Sequence, residues 1–274
     1  MGKLATFVQR KPWRTLSGTA LKWIAVVTML VDHLGAILVW SYYLTLVQSG
    51  ATNAHDVYQI YLWMRRIGRM AFPIFCFVLV EGFTHTHSRP KYALRLLLFG
   101  LISEVPYDFA LHDEISYTSE LNIMFTLLLA FCALWLADAL GKLICKGIAK
   151  ARKQDAVSER TLSTVNTLCA IVTILAAAAL AEGPLDVSYH GYGIVLIGVL
   201  YIARNHRFMQ FVLGTLATMW YCYVHGSTLQ MFALLGLAVL CLYDGTRGRG
   251  MKYFFYVFYP AHLLILGLIN MWLF

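Results

Sequence analysis

Lys22 and His33, eleven residues apart, are spaced for joint work on one elongated ligand. On a helix that separation turns about 1,100°, roughly 20° past three full turns, so both side chains leave one face about 16 Å apart along the axis. An ammonium group can meet phosphates as a compact charge. A histidine, with an ordinary pKa of about 6.5, can take a proton from an attacking nucleophile near working pH. Coenzyme A, with its phosphorylated head and long thin arm ending in a thioester, has the matching shape. The competing account of the same pair is a lysine reaching back to a membrane boundary above a satisfied core histidine.

Other ionisable side chains interrupt apolar stretches: Asp32, Arg65, Arg66, Arg69, Glu81, Glu104, Asp108, Asp138 and His262. Each costs about 2.5 to 3.5 kcal/mol at the centre of a membrane helix, so each needs a partner, a cavity or a function. A buried ion-pair network that fixes helix packing is the plain alternative to catalysis or binding. Asp32 projects about 100° away from its neighbour His33, which points it to an arginine of the next apolar segment. Glu104, Asp108 and Tyr259 are the candidates for orienting the His33 ring. Arg65, Arg66 and Arg69, together with Arg89, Lys91 and Arg95, are candidate contacts for anionic groups of the ligand, although Arg89, Lys91 and Arg95 equally suit an ordinary topology signal. Tyr259 and His262, three residues apart around Pro260, could line a cavity at a kink, or form an aromatic belt with one buried histidine serving as a structural control. His85 and His87 are spaced as a chance pair rather than a metal site, and the chain has no HExxH, GxSxG or P-loop sequence.

The elements that position these residues follow from composition. With 59% hydrophobic and 13% charged residues in 274, the chain is far more apolar than a soluble domain, which carries about 25% charged residues. At about 20 residues per crossing, this length predicts a single domain over 1–274: an all-α, polytopic transmembrane helical bundle of about nine spans. The candidate spans are 19–47, 59–84, 91–112, 121–144, 161–181, 191–204, 208–224, 229–243 and 253–273, the sixth and eighth short enough to be tilted, re-entrant or shielded by neighbours. Apart from Arg65, Arg66 and Arg69, every Lys and Arg falls at one set of alternating ends, from Lys3, Arg10 and Lys11 onward. The opposite loops carry Asp56, Asp113, Glu114, Glu120, Glu182 and Asp186 and no Lys or Arg. That asymmetry predicts a cytoplasmic N-terminus in a multi-pass inner-membrane protein. It also explains the net charge of +8 without nucleic acid, since no basic soluble face is formed. The first apolar stretch is too long for a signal-peptide core and reads as a retained span. Six cysteines without a CxxC pair support no disulfide framework.

The stretches LKWIAVVTMLVDHLGAIL (21–38), RRIGRMAFPIFCFVLVEGFTHT (65–86), KYALRLLLFGLISEVPYDFAL (91–111), HGYGIVLIGVLYIAR (190–204) and YFFYVFYPAHLLIL (253–266) resemble the TraX family, whose namesake acetylates F pilin. The family's DH, GR…FP…EG and YPxH patterns look like Asp32 with His33, Gly68 to Gly82, and Tyr259 to His262. Lys22 to His33 is also similar to the R/K-x10-H signature of acyltransferase family 3, membrane enzymes that modify external glycans with acetyl-CoA. There the resemblance implies a catalytic histidine and a CoA-facing cation. Lysine stands here where arginine is commoner, which permits charge contact but not a bidentate fork. The resemblance implies acetyl-CoA as acyl donor, no metal, and an extracytoplasmic protein or glycan as acceptor, with the lipid bilayer as surroundings. The competing expectations are a proton- or anion-coupled transporter using the same buried charges, and a non-enzymatic assembly factor.

Overall fold

Apolar runs of this length leave the backbone to satisfy its own hydrogen bonds, and within a bilayer helices do so segment by segment. The computed structural model describes residues 13–112, 120–153, 155–250 and 252–274. The charge-pattern residues Lys3, Arg10, Lys11, Asp113 and Glu114 lie outside them. Helix α1 (Gly18–Leu34) passes through a π-helical turn (Gly35–Val39) into α2 (Trp40–Gln48). Two residues separate α3 (Ala54–Gly68) from α4 (Ala71–His85). The chain continues as α5 (Arg89–Leu111), α6 (Ile123–Ala151), α7 (Glu159–Glu182), α8 (His190–Ile202) and α9 (Arg207–His225). A 3-10 turn (Leu229–Phe232) leads into α10 (Ala233–Leu240), and α11 (Lys252–Leu273) ends the fold. Side-chain caps start several helices: Ser17 accepts from the Ala20 amide, Ser88 from Lys91, Asn122 from Met124 and Ser158 from Thr161.

The helical segments follow the nine apolar stretches, but among the described residues only five are long and apolar enough to cross a membrane: Gly18–Gln48, Ala54–His85, Ile123–Ala151, Glu159–Glu182 and Tyr253–Leu273. α5 carries Arg89, Lys91, Arg95, Glu104 and Asp108, and α9 is diluted by Arg207, Gln210 and Thr218. α8 and α10 fall well short of the roughly 30 Å hydrocarbon thickness. The protein itself shelters them. Ile194, Leu196, Ile197 and Leu200 of α8 are fully buried, and the helix packs against α4, α6, α7 and α9. α10 packs against α4 and α9, where Gly236 lies so close to the Met70 carbonyl that a methyl group would collide with it. Large apolar side chains elsewhere are exposed, among them Leu101, Ile102, Val172, Leu175 and Trp220. An apolar exterior over long apolar helices is that of a membrane protein.

The connections gather at two ends. At the basic end, the Gly18 amide donates to the Thr246 carbonyl (2.7 Å), and the Thr19 hydroxyl to that of Arg249 (2.6 Å). Arg207 of α9 donates to Glu81 of α4 at 3.1 Å, joined by the Tyr243 hydroxyl at 3.3 Å. At the acidic end, the Leu121 amide donates to the Asp186 carbonyl and the Ser188 amide to that of Leu121, each at 2.9 Å.

Candidate functional site

Asp32 and His33, in the last turn of α1, turn to different partners. Asp32 accepts from Arg65 Nη1 at 2.8 Å and from Arg69 Nη2 at 2.8 and 3.0 Å. This is the arginine partnership that helix geometry expects. Gly68 makes it possible, because a Cβ there would occupy the space of the Asp32 carboxylate. Two guanidinium groups around one carboxylate leave a surplus positive charge beside His33.

His33 turns to α11. Its Nδ1 lies 2.7 Å from His262 Nε2, and His262 Nδ1 lies 2.7 Å from the Phe258 carbonyl oxygen. His262 is 5% exposed and its ring stacks on Phe258 with an interplanar angle of 11°. The sequence had pointed to Glu104, Asp108 or Tyr259 as the group that orients His33; the structure puts His262 in that position.

His33 lines a chamber of about 380 Å³ together with Asp32, Arg65, Arg69, Tyr107, Tyr189 and Tyr259. At its acidic-end wall, the Ser188 hydroxyl donates to Glu120 at 2.7 Å, and the Tyr107 hydroxyl lies 3.1 Å from Ser188 and 3.2 Å from Glu120. Tyr189 stacks flat on Phe72 with centroids 3.7 Å apart and receives Arg69 Nη1 at 3.4 Å. Its φ of 64° and that of His190, 44°, lie in the left-handed region, an uncommon conformation for bulky residues that turns the Tyr189 ring into the chamber.

A second cavity of about 700 Å³ opens at the basic end, with Lys22, Lys91, Arg95, Arg247 and Arg249 in its wall beside His85, His87, Tyr243 and Tyr256. Phe75, Met124, Leu127 and Phe255 line both cavities and form the apolar partition between them. Lys22 therefore stands in one compartment and His33 in the other, on the same helix.

Several candidates lie elsewhere. Arg66 sits over the Trp63 and Phe232 rings and borders neither cavity. Arg89 pairs with Asp138, which also accepts from Lys142 at 2.8 Å, so it joins α5 to α6 instead of facing a ligand. Arg65 and Arg69 face the His33 chamber, away from the basic cavity. Glu104 bonds Asn122 at the start of α6, and Asp108, 2% exposed, is buried off the chamber wall. Tyr107, Tyr189, Ser188, Glu120, Arg247 and Arg249 complete the cavities without a motif to announce them. The HGYG stretch after Tyr189 is the nearest signal. Among the described residues, no group of three or more His, Cys, Asp or Glu could hold a metal ion.

The TraX protein family profile matches residues 17–270, nearly the whole chain. The chain belongs to the TraX family. A relative from Dichelobacter nodosus, named as a probable fimbrial assembly protein FimC of serogroup H1, is 27% identical over 280 residues, spanning 94% of this chain and 97% of its own length. No solved structure matches the chain. The segments that make up the two cavities and the His33–His262 contact all fall inside the TraX match.

Proposed function

We propose that this TraX-family protein is a membrane acetyltransferase that carries an acetyl group from cytoplasmic acetyl-CoA to an acceptor on the far side of the membrane. The observation that carries the reading is the shared partition: a basic cavity and a histidine-bearing chamber meet across Phe75, Met124, Leu127 and Phe255. A phosphorylated head and a thioester could then occupy separate compartments joined by a thin arm. Lys22, Lys91, Arg95, Arg247 and Arg249 would hold the phosphates as point charges and guanidinium forks. The bound donor supplies the activated acyl group.

In this reading the basic end faces the cytoplasm, as the excess of Lys and Arg on its loops suggests. The acceptor enters from the acidic end. His33 takes the proton from the acceptor nitrogen or oxygen as that atom attacks the thioester carbonyl, or carries the acetyl group transiently itself. The surplus cation of the Arg65–Asp32–Arg69 cluster and the Tyr189 hydroxyl line the same chamber as His33 and would stabilise negative charge developing on the carbonyl oxygen. The acceptor is a pilus or other envelope protein, or a glycan. The family and the assembly role in the relative's name support a surface-structure subunit.

Acetyl-CoA titrated into purified protein should give saturable binding by calorimetry, and folded His33→Ala should keep that binding while losing at least about 100-fold in transfer. Absence of binding at millimolar donor would favour a transporter, and a folded His33→Ala protein with most of its activity would remove His33 from the chemistry.

A further inference from the structure

His262 lines neither of the two cavities, yet it makes the polar contact to the Nδ1 side of His33. The Phe258 carbonyl can only accept, so the proton on the His262 ring sits on Nδ1 and its Nε2 carries a lone pair. His33 must then donate from Nδ1, which leaves its own Nε2 bare in a ring that lines the chamber. We infer that His262 is a positioning residue that locks His33 in the tautomer with a free Nε2 and closes the proton path behind it, so that Nε2 works alternately as base and acid. The inference rests on the acyl-transfer reading for its chemistry, but not for its tautomer.

The closure follows from the end of the chain of hydrogen bonds. A peptide carbonyl has no proton to hand on, so a proton taken up at His33 Nε2 cannot leave through His262. It must return through the chamber. The balanced sequence is short: the acceptor's N–H or O–H proton moves to Nε2 as the new bond to the acyl carbon forms, the C–S bond breaks, and Nε2 gives the proton to the departing thiolate. The products are the acetylated acceptor and the free thiol, and His33 returns to its starting tautomer.

Using an imidazole for this purpose has a physical reason. The one carboxylate next to His33 in sequence, Asp32, is already held by Arg65 and Arg69. A second carboxylate behind the ring would favour a resting imidazolium that has no lone pair to offer, whereas a neutral acceptor orients the ring without adding charge. The charged and titratable groups nearest His33 are Arg65 of α3, Arg69 just after it and His262 of α11, with Asp32 beside it on α1, and Tyr107, Glu120, Tyr189, His190, Tyr221 and Tyr259 line the same chamber.

Three substitutions separate positioning from packing. In His262→Gln the carboxamide oxygen can replace Nε2 as acceptor; His262→Leu removes the acceptor; His262→Glu supplies a charged one. We expect His262→Leu to lower kcat by about 10- to 100-fold with an unchanged KM for acetyl-CoA, and His262→Gln to recover most of the loss. His262→Glu should move the acidic limb of the pH–rate profile to higher pH. Nitrogen-15 spectra of histidine-labelled protein without any substrate, with His33 assigned by its loss in His33→Ala, should show Nδ1 protonated and Nε2 bare, and both tautomers in His262→Leu. Equal losses in the Gln and Leu variants with an unmoved pH profile, or a wild-type His33 protonated at Nε2, would overturn the inference. The spectra stand even where acetyl-CoA fails to bind, so the failure of the acyl-transfer reading and the failure of this one are distinct results.

Discussion

Lys22 and His33 are separated by the apolar partition, so loss of one side chain should leave the other's task in place. Lys22→Ala removes one of several cations around the basic cavity. A contact of that kind is worth about 1 kcal/mol, so the apparent constant for acetyl-CoA should rise several-fold while turnover at saturating donor stays close to wild type. Steady-state kinetics against donor concentration checks this, and an unchanged constant in folded protein would take Lys22 out of the donor site. That Lys22 and His33 share one helix was legible because spacing along a helix needs no tertiary knowledge. The partnership of Asp32 with the arginines was legible for the same reason, since only one face of α1 points towards the following segment. The partner of His33 was not, because it lies 229 positions away and no periodicity links α1 to α11. Nor could sequence tell Arg66 and Arg89, which end over aromatic rings or against Asp138, from the cations that border a cavity.

At the scale of elements, Gly68 decides how closely α3 approaches α1. Glycine to alanine inside a helix ordinarily stabilises by about 1 kcal/mol. Here the added methyl group would displace the Asp32 carboxylate, which is 8% exposed and holds both Arg65 and Arg69. We expect the sign to reverse: Gly68→Ala should lower the thermal midpoint in detergent, at a cost of about 1 to 3 kcal/mol from overpacking, and should impair transfer by disturbing the cation cluster. A raised midpoint would show that the pair relaxes freely. The helices themselves were readable from apolar runs, with the break at Arg69 and Met70 and the π turn after Leu34 as exceptions. The π turn follows Leu34 directly, with the buried Gly35 against Met64 of α3, and it changes the phase of the helix just beyond the His33 turn. The shelter of α8 was one of three options for a short apolar segment. Choosing it required knowing that α4, α6, α7 and α9 surround it.

Across the whole molecule, loops of unlike charge gather at opposite ends, and orientation becomes an experimental question with a sharp answer. A reporter joined after Phe274 should behave as extracytoplasmic: alkaline phosphatase active there, and a cytoplasm-dependent fluorescent protein dark. The reverse pattern would put the acidic end inside and turn the proposed route of transfer around. The charge pattern was legible because Lys and Arg are costly to translocate, whereas the cavities were not, because each is assembled from segments far apart in the chain. The partition has a consequence for the cell as well. Phe75, Met124, Leu127 and Phe255 offer no charged or hydrogen-bonding side chain to replace a hydration shell, so a hydrated ion passing from one cavity to the other would lose its water without compensation. In the proposed acyl-transfer reading, two cavities kept apart in this way would let a donor and an acceptor meet without opening a conductance that dissipates the membrane potential.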